Sequence, residues 1–431
     1  MKDSGIPWIG EMPEGWKVMP HKRVMRKVKA IQEHYNGENI LSLTMRGVIV
    51  RDLDAGGKMP TTFDGYQKVY PNNLLQCLFD IDVTPRCVGL IKDEGLTSPA
   101  YSQFAMYSNG YAPYYDYLLR YMDDGKTLLH LSKNLRSSLT ETDFGAIDTC
   151  VPPLAEQQRI AEFLDRKCAE VDEMIALQEQ IIEELKAYKQ SVITEAVTKG
   201  LNPAAPMRDS DIEWIGQIPE HWEVKRLKDV GYLYGGLTGK AGDDFIAEDD
   251  ETCQYMRFIP YTNIFNNYLI NPAQLYKVRI EEGEKQNLVN KGDILFLMSS
   301  EDYDGVGKPA MIDVQVDNLG LNSFCKGFRI TDNSTYPKYL LYLLLSHTLR
   351  EMVRQEGKGF IRINLRQDKL STCPIILPDI VEQQAIADYL DDKCADIDSL
   401  IQTKQSKIDS LKEYKKSIIY EYVTGKREVN E

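Results

Sequence analysis

Two stretches of the 431-residue chain set asparagine among basic residues: Lys133-Asn134-Leu135-Arg136 and Lys358-Gly359-Phe360-Ile361-Arg362-Ile363-Asn364-Leu365-Arg366. Asparagine's donor and acceptor match the edge of adenine, and arginine's paired donors that of guanine. Gly357 and Gly359 would let the second stretch approach a ligand closely. A plainer account makes Asn364 a helix cap and Arg362 an ordinary surface residue. A third basic cluster comprises Lys17, His21, Lys22, Arg23, Arg26, Lys27 and Lys29. The spacing of Lys22, Arg26 and Lys29 predicts one helical face, suited to phosphates, which position a protein without specifying sequence. A solvated basic face is the competing account. The run Ser299 to Lys308 follows the apolar Ile294-Leu295-Phe296-Leu297 and predicts a strand opening into an exposed loop. Its carboxylates would suit cytosine amino groups, or simply be solvated. The tyrosines from Tyr101 to Tyr121 read as packing rather than as a stacking platform.

No catalytic constellation accompanies these residues. Gly235-Gly236-Leu237-Thr238-Gly239-Lys240-Ala241 lacks the spacing and the hydroxyl residue of a phosphate-binding loop. No Asn-Pro-Pro-aromatic or Asp-Pro-Pro-aromatic run suits amino methylation, and neither HExxH nor GxSxG occurs. Glu184-Leu185-Lys186 lies on a heptad helix, where an exposed ion-pair face explains it better than a nuclease site. Eight cysteines without a CxxC pair and five histidines argue against a zinc module and for a reduced environment.

The elements that would position the basic stretches are written twice. Ile6-Pro7-Trp8-Ile9-Gly10-Glu11-Met12-Pro13-Glu14-Gly15-Trp16-Lys17-Val18 recurs as Ile212-Glu213-Trp214-Ile215-Gly216-Gln217-Ile218-Pro219-Glu220-His221-Trp222-Glu223-Val224, and the two copies hold all four tryptophans. A second repeat begins at Glu156-Gln157-Gln158 and Glu382-Gln383-Gln384 and aligns without gaps to Thr198 and Thr424, with about half its positions identical. The step from Trp8 to Trp214 is 206 residues and that from Cys168 to Cys394 is 226, so the second intervening segment is about 20 residues longer. Those segments, near 19–150 and 225–372, show little obvious similarity.

Prolines (Pro152-Pro153 and Pro378) precede each long repeat and favour a helix start there. Val171, Ile175, Ile182, Leu185 and Val192, matched by Ile397, Ile401, Ile408, Leu411 and Ile418, alternate three and four apart, the seam of a coiled coil. Gln178, Lys189, Lys404 and Lys415 interrupt the seam, and Tyr188 and Tyr414 are expected to extend its apolar face. A helix of about 40 residues is about 60 Å long and cannot bury such a stripe alone. Two of them, antiparallel, would bury theirs together and hold the two intervening segments a fixed distance apart. On periodicity alone, a coiled coil that merely dimerises or scaffolds, here with two ligand-binding domains, is the favoured account of the helices.

The expected organisation is a first domain over 1–151 with its motif at 4–18, a helix over 152–199 and a breaker-rich linker over 200–209. A second domain follows over 210–373 with its motif at 210–224, then a second helix over 374–426 and a tail over 427–431. The start and end of the chain fall at matching places in the repeat, as in a pseudo-twofold ring cut once. Length suits two domains or more, and a hydrophobic fraction of 43% can build their cores. No apolar run reaches membrane length and the first residues lack a signal core, so a cytoplasmic protein without a membrane partner is expected. The net charge of −14 weighs against nucleic-acid binding, although a global sum can hide local basic surfaces.

Pro153-Leu154-Ala155-Glu156-Gln157-Gln158-Arg159-Ile160-Ala161 and Trp214-Ile215-Gly216-Gln217-Ile218-Pro219-Glu220-His221-Trp222 resemble the conserved frame of specificity subunits of Type I restriction-modification systems. The resemblance spans essentially the whole chain; Asp379-Ile380-Val381, before Glu382, departs from it slightly. It implies an α+β protein with two mixed α/β target-recognition domains, each reading half of a bipartite double-stranded DNA target, joined by two antiparallel helices as a spacer. It implies no catalysis and no cofactor in this chain. The expected partners are two adenine-N6 methyltransferase subunits, which would carry S-adenosylmethionine, and a restriction motor-nuclease subunit. The DNA-contacting candidates are Lys22, Arg26, Lys29, Lys133, Asn134, Arg136, Lys358, Arg362, Asn364 and Arg366. A cryptic nuclease or methyltransferase lacks any supporting motif.

Overall fold

The computed structural model describes residues 1–55, 60–131, 137–246, 254–359 and 361–429. Lys133, Asn134 and Arg136 therefore lie outside the described residues. The elements around which the chain is built are, in order, strands β1 (Met25–Val28), β2 (Leu74–Gln76), β3 (Val88–Leu90) and β4 (Ser102–Met106) and helices α1 (Ala112–Asp124) and α2 (Leu154–Lys199). They are followed by strands β5 (Gly231–Gly235), β6 (Ile294–Leu297), β7 (Pro309–Met311) and β8 (Cys325–Ile330) and helices α3 (Pro337–Leu345), α4 (His347–Glu356) and α5 (Ile380–Val423). The chain divides into two compact units, Met1–Glu179 with Gln405–Glu431, and Gln180–Lys404. The division falls inside both long helices, so each unit owns one end of each.

The two intervening segments, so different in sequence, share one sheet. In the first unit the strand order is β1-β4-β2-β3, and in the second β5-β8-β6-β7, every pair antiparallel. The second unit adds another four-stranded sheet, and both units carry further two-stranded pairings, among them the hairpin of Leu41–Thr44 with Gly47–Val50 in the first. Similarity hides because a strand buried on both faces needs only β-compatible residues that fill the core to hold its place. Leu74 and Leu75 of β2 and Ile294 to Leu297 of β6 are all buried.

Helix α1 has proline at its second position, and α3 begins with one, where the missing N–H costs nothing. Tyr114, Tyr115, Leu118, Leu119 and Met122 form the buried face of α1 at three- and four-residue spacing. The helices align at a step of 225: Tyr111, Tyr114, Tyr117, Leu118 and Leu119 match Tyr336, Tyr339, Tyr342, Leu343 and Leu344. The matched residues do the same work. Tyr117 donates to Asp165 at 2.7 Å and Tyr342 to Asp391 at 2.7 Å; Tyr114 donates to the Val423 carbonyl at 2.8 Å and Tyr339 to that of Val197 at 3.3 Å. Gln157 and Gln383 are buried, and each amide closes three bonds to the segment preceding α1 or α3 and to the helix entry. Gln157 accepts from Tyr111 N and donates to Asn109 O and Pro152 O; Gln383 accepts from Tyr336 N and donates to Ser334 O and Pro378 O. Those repeated glutamines are structural clasps.

The tryptophan motif is a turn that docks on a helix end. Ser4 N bonds Gly10 O and Ser210 N bonds Gly216 O, and Gly10 and Gly216 sit at φ +68° and +70°. Trp16 and Trp222 are buried. In the first unit Trp16 and Pro13 press on Gly425, just past α5; in the second Trp222 packs on Gly200, just past α2. Both glycines are left-handed, as a helix end favours, and a Cβ on Gly425 would come within 2.4 Å of Pro13.

Within each unit the ends of the two helices lie antiparallel. In the first, Cys168 of α2 joins Ile418 and Tyr422 of α5 in one core, and Lys415 bonds Asp172 at 2.6 Å. In the second, Ile193 and Val197 of α2 join Leu390 and Cys394 of α5, and Lys189 bonds Asp398 at 2.6 Å. The lysines that interrupt the seam are thus partnered, at matching places. Val171, Ile182, Ile397, Ile408 and Ile418 are buried, while Ile175, Leu185, Val192, Ile401 and Leu411 are half-buried. Tyr188 and Tyr414, expected on the apolar face, are instead 58% and 51% exposed. A phenol can leave its hydroxyl in water, and the paired seam is already filled by aliphatic residues. Among the described residues no helix is long and apolar enough to cross a membrane.

Candidate functional site

In the second unit the two loops singled out by sequence meet. Ser299–Ser300 pairs antiparallel with Ile363–Asn364, Ser299 facing Asn364, and Leu365 N bonds Met298 O at 2.9 Å. Lys358 and Asn364 exchange both backbone hydrogen bonds, at 3.0 and 2.9 Å, so the basic stretch doubles back tightly. Gly359 lies at φ +147°, and a Cβ there would come within 2.0 Å of the Arg362 carbonyl, so only glycine fits. Asn364 is therefore a strand residue, not a helix cap; its side-chain amide steadies the Arg362 carbonyl at 3.2 Å. The cap position of the following short helix belongs to Arg366.

The Ser299–Lys308 loop is fixed from behind. Asp302 Oδ1 accepts from Gly305 N at 2.6 Å, closing the turn between them. Arg350 of α4, nearly buried, donates to the carbonyls of Asp304 and Val306 at 2.8 and 3.0 Å. Burial brings its pKa down to about 10, and it remains charged near neutrality. Arg354 holds the Asp304 carboxylate at 2.5 Å. Lys308 donates to the Phe265 carbonyl and lies over its ring, and burial lowers its pKa. These cations carry no surface charge to spare: they are the frame of the loop.

Together the loops line a cleft with Tyr261, Thr262, Phe265, Ser299, Ser300, Glu301, Asp302, Phe324 and Arg362. Tyr261 and Phe265 stack on one another, 6.0 Å between centroids. The Arg362 guanidinium lies 5.5 Å from the ring centroid of Phe324, which is 56% exposed. Ile361 beside it is 86% exposed. Arg366, by contrast, is tied to Asp368 through Nε and Nη2, at 2.9 and 2.8 Å. Of the sequence candidates, Lys358, Arg362, Asn364 and Arg366 are thus one local structure, of which Arg362 alone lines the cleft. Phe324, Tyr261 and Phe265 carried no sequence signal, because isolated aromatics in loops look like ordinary packing.

In the first unit Lys22, Arg26 and Lys29 are exposed but do not share a helix. Lys22 lies in a single 3-10 turn, His21–Arg23; Arg26 lies on β1, and Lys29 just beyond it. The ladder from Met25–Val28 to Gln103–Met106, with Val24 and Met25 buried, overrides the helical spacing. Lys27 is paired with Glu141. The counterpart of the Ser299–Lys308 loop is Phe79–Arg86, which joins β2 to β3 as the other joins β6 to β7. Lys126, just past α1, donates to its Ile81 and Thr84 carbonyls at 3.3 and 3.2 Å. Among the described residues no cluster of three or more metal-ligating side chains occurs.

Comparison with known proteins bears on this arrangement. Residues 219–413 match the family model of the Type I restriction modification DNA specificity domain. The Type I restriction enzyme MjaVIII specificity subunit of Methanocaldococcus jannaschii is 26% identical over 283 residues, 66% of this chain and 63% of that protein. The chain thus spans less than two thirds of that relative's length. The EcoBI specificity subunit of Escherichia coli is 27% identical over 267 residues, 58% of this chain and 52% of that one. Among solved structures, a chain from a study of complex assembly and conformational transition of the type I R-M system superposes with a TM-score of 0.71 at 16% identity, covering 96% of this chain and 98% of that one. The HsdS subunit from Thermoanaerobacter tengcongensis superposes with a TM-score of 0.53 at 17% identity, covering 97% and 98%. The chain shares their fold.

Proposed function

We propose that the chain, whose residues 219–413 match the model of the Type I restriction modification DNA specificity domain, is the non-catalytic subunit that reads a bipartite DNA target. Each unit reads one half with the loops of its four-stranded sheet. The pairing of α2 with α5 sets the unread gap between halves, and the helices dock two adenine-N6 methyltransferase subunits. S-adenosylmethionine belongs to those subunits, and a motor-nuclease subunit joins through the same complex. The observation that carries the reading is a duplicated frame around dissimilar loops: identical sheet orders, clasping glutamines and tryptophan turns hold Phe79–Arg86 in one unit and Ser299–Lys308 in the other. A scaffold for one repeated ligand would have no reason to vary its loops while preserving their supports.

Co-expression with the neighbouring methyltransferase subunit in a methylation-free host, followed by genome-wide mapping of N6-methyladenine, tests the reading. A single split motif with an unspecified gap is the expected result. A stable chain that forms no complex and directs no methylation would overturn it in favour of a scaffold.

A further inference from the structure

Phosphates dominate the affinity of most DNA-binding surfaces, yet the second unit's cleft is built against them. Glu301 and Asp302 both line it, and their carboxylates would repel a phosphate oxygen brought between them. What suits the cleft is a neutral base edge offering both acceptors and a donor.

The charged side chains in and behind the two loops divide by whether their hydrogen-bonding capacity is already used. Asp302 closes the turn to Gly305 and Asp304 is held by Arg354. Arg350, Arg354, Lys308 and Arg366 bond the loop or a neighbouring carboxylate. Among the described residues Arg362 has no carboxylate within ion-pair distance. Its guanidinium lies 5.5 Å from the ring centroid of Phe324, a contact that uses none of its N–H donors. Glu301 is exposed and likewise has no cation within that distance among the described residues. One unspent set of donors and one unspent acceptor therefore share a cleft.

Resting on the DNA-reading function above, we infer that this cleft specifies one G·C base pair, Arg362 donating to O6 and N7 of the guanine and Glu301 accepting from N4 of its cytosine. Guanine presents two adjacent acceptors in the major groove and cytosine one amino donor, the complement of what the cleft offers. The backbone exchange between Lys358 and Asn364, and the glycine that only Gly359 can supply, hold Arg362 at the lip. Arg366, spent on Asp368, reads nothing.

The test is selection from randomised duplex DNA by the full chain co-expressed with its modification subunit. Arg362→Ala is expected to lower the preference for G at one position by about ten- to a hundredfold and to leave the other positions alone. Glu301→Gln relaxes the same position, and Arg366→Ala changes none. Arg362 is exposed, so its loss leaves the fold intact. If Arg362→Ala weakens binding to every sequence alike and reduces the salt dependence by about one ion, Arg362 is a phosphate contact and the inference falls while DNA reading stands. If the unaltered chain selects no split sequence, DNA reading falls and the inference with it.

Discussion

The loops Phe79–Arg86 and Ser299–Lys308 occupy the same place in two sheets of the same order, and they are supported in the same way but finished differently. In each, a cation beyond the sheet donates to two loop carbonyls: Lys126 to Ile81 and Thr84, Arg350 to Asp304 and Val306. The first loop then turns inward. It buries Ile81 and ties Arg86 to Asp123 and Asp124 at 3.2 and 2.9 Å. The second turns outward, leaving Glu301 exposed beside Arg362. Backbone satisfaction is shared and side-chain chemistry is private, which is how one scaffold can present two different surfaces.

The comparison breaks first at the supporting cations. Arg350→Ala leaves two carbonyls on the inner side of the loop without a donor, at about 1–3 kcal/mol each. Chemical unfolding followed through Trp214 and Trp222, in a chain with Trp8 and Trp16 replaced by phenylalanine, should show the second unit destabilised by roughly 4 kcal/mol. Lys126→Ala, whose bonds are longer and whose side chain is less enclosed, should cost the first unit about 1 kcal/mol, read through Trp8 and Trp16. Equal losses would mean that the two loops are not held alike.

Acid should separate the units next. His21 is fully buried; desolvation lowers its pKa from 6.5 to about 4, against a partial offset from its bond to the Phe144 carbonyl. The unfolded chain therefore binds a proton that the folded unit refuses. Stability rises with pH wherever the unfolded state holds more protons, so the first unit should weaken as pH falls from about 6.5 towards about 4, by up to about 3 kcal/mol. At the repeat step of 206 the second unit has Leu227, buried and without a charge to gain. Unfolding midpoints at pH 7 and pH 4.5 should diverge for the first unit, and His21→Leu should remove the histidine's share of that divergence. An unchanged pH dependence in His21→Leu would show that the buried imidazole is not its source.

What could be read without a fold was the part where chemistry is spelled by identity. Trp16, Trp222, Gln157 and Gln383 announce themselves because a buried indole and a fully bonded buried amide tolerate few replacements. The shared sheet was silent, since Gln76 and Phe296 occupy matching strands and both are buried. The tyrosines of α1 and α3 repeat at 225 rather than 226, one residue out of phase with the long helices, and so read as unconnected packing. Lys22, Arg26 and Lys29 misled because a three- and four-residue spacing fits a helix face as well as an exposed turn and strand edge. The meeting of Ser299–Ser300 with Ile363–Asn364 is a pairing across some 60 residues, and no local signal encodes it.

The seam lysines offer the smallest and most symmetric contrast. Lys189 reaches Asp398 in the second unit and Lys415 reaches Asp172 in the first, each at 2.6 Å and each from a position where an apolar residue would complete the heptad. Both pairs are partly open to solvent, so neither should contribute more than about 1 kcal/mol. Replacing either lysine with methionine keeps the stem that packs along the helix and discards the charge. Lys415→Met and Lys189→Met should each shift the unfolding midpoint of the unit concerned only slightly, and 1 M salt should erase whatever difference remains. A loss of several kcal/mol that salt does not touch would show that the ion pair, rather than the aliphatic seam around it, fixes the register of the two helices.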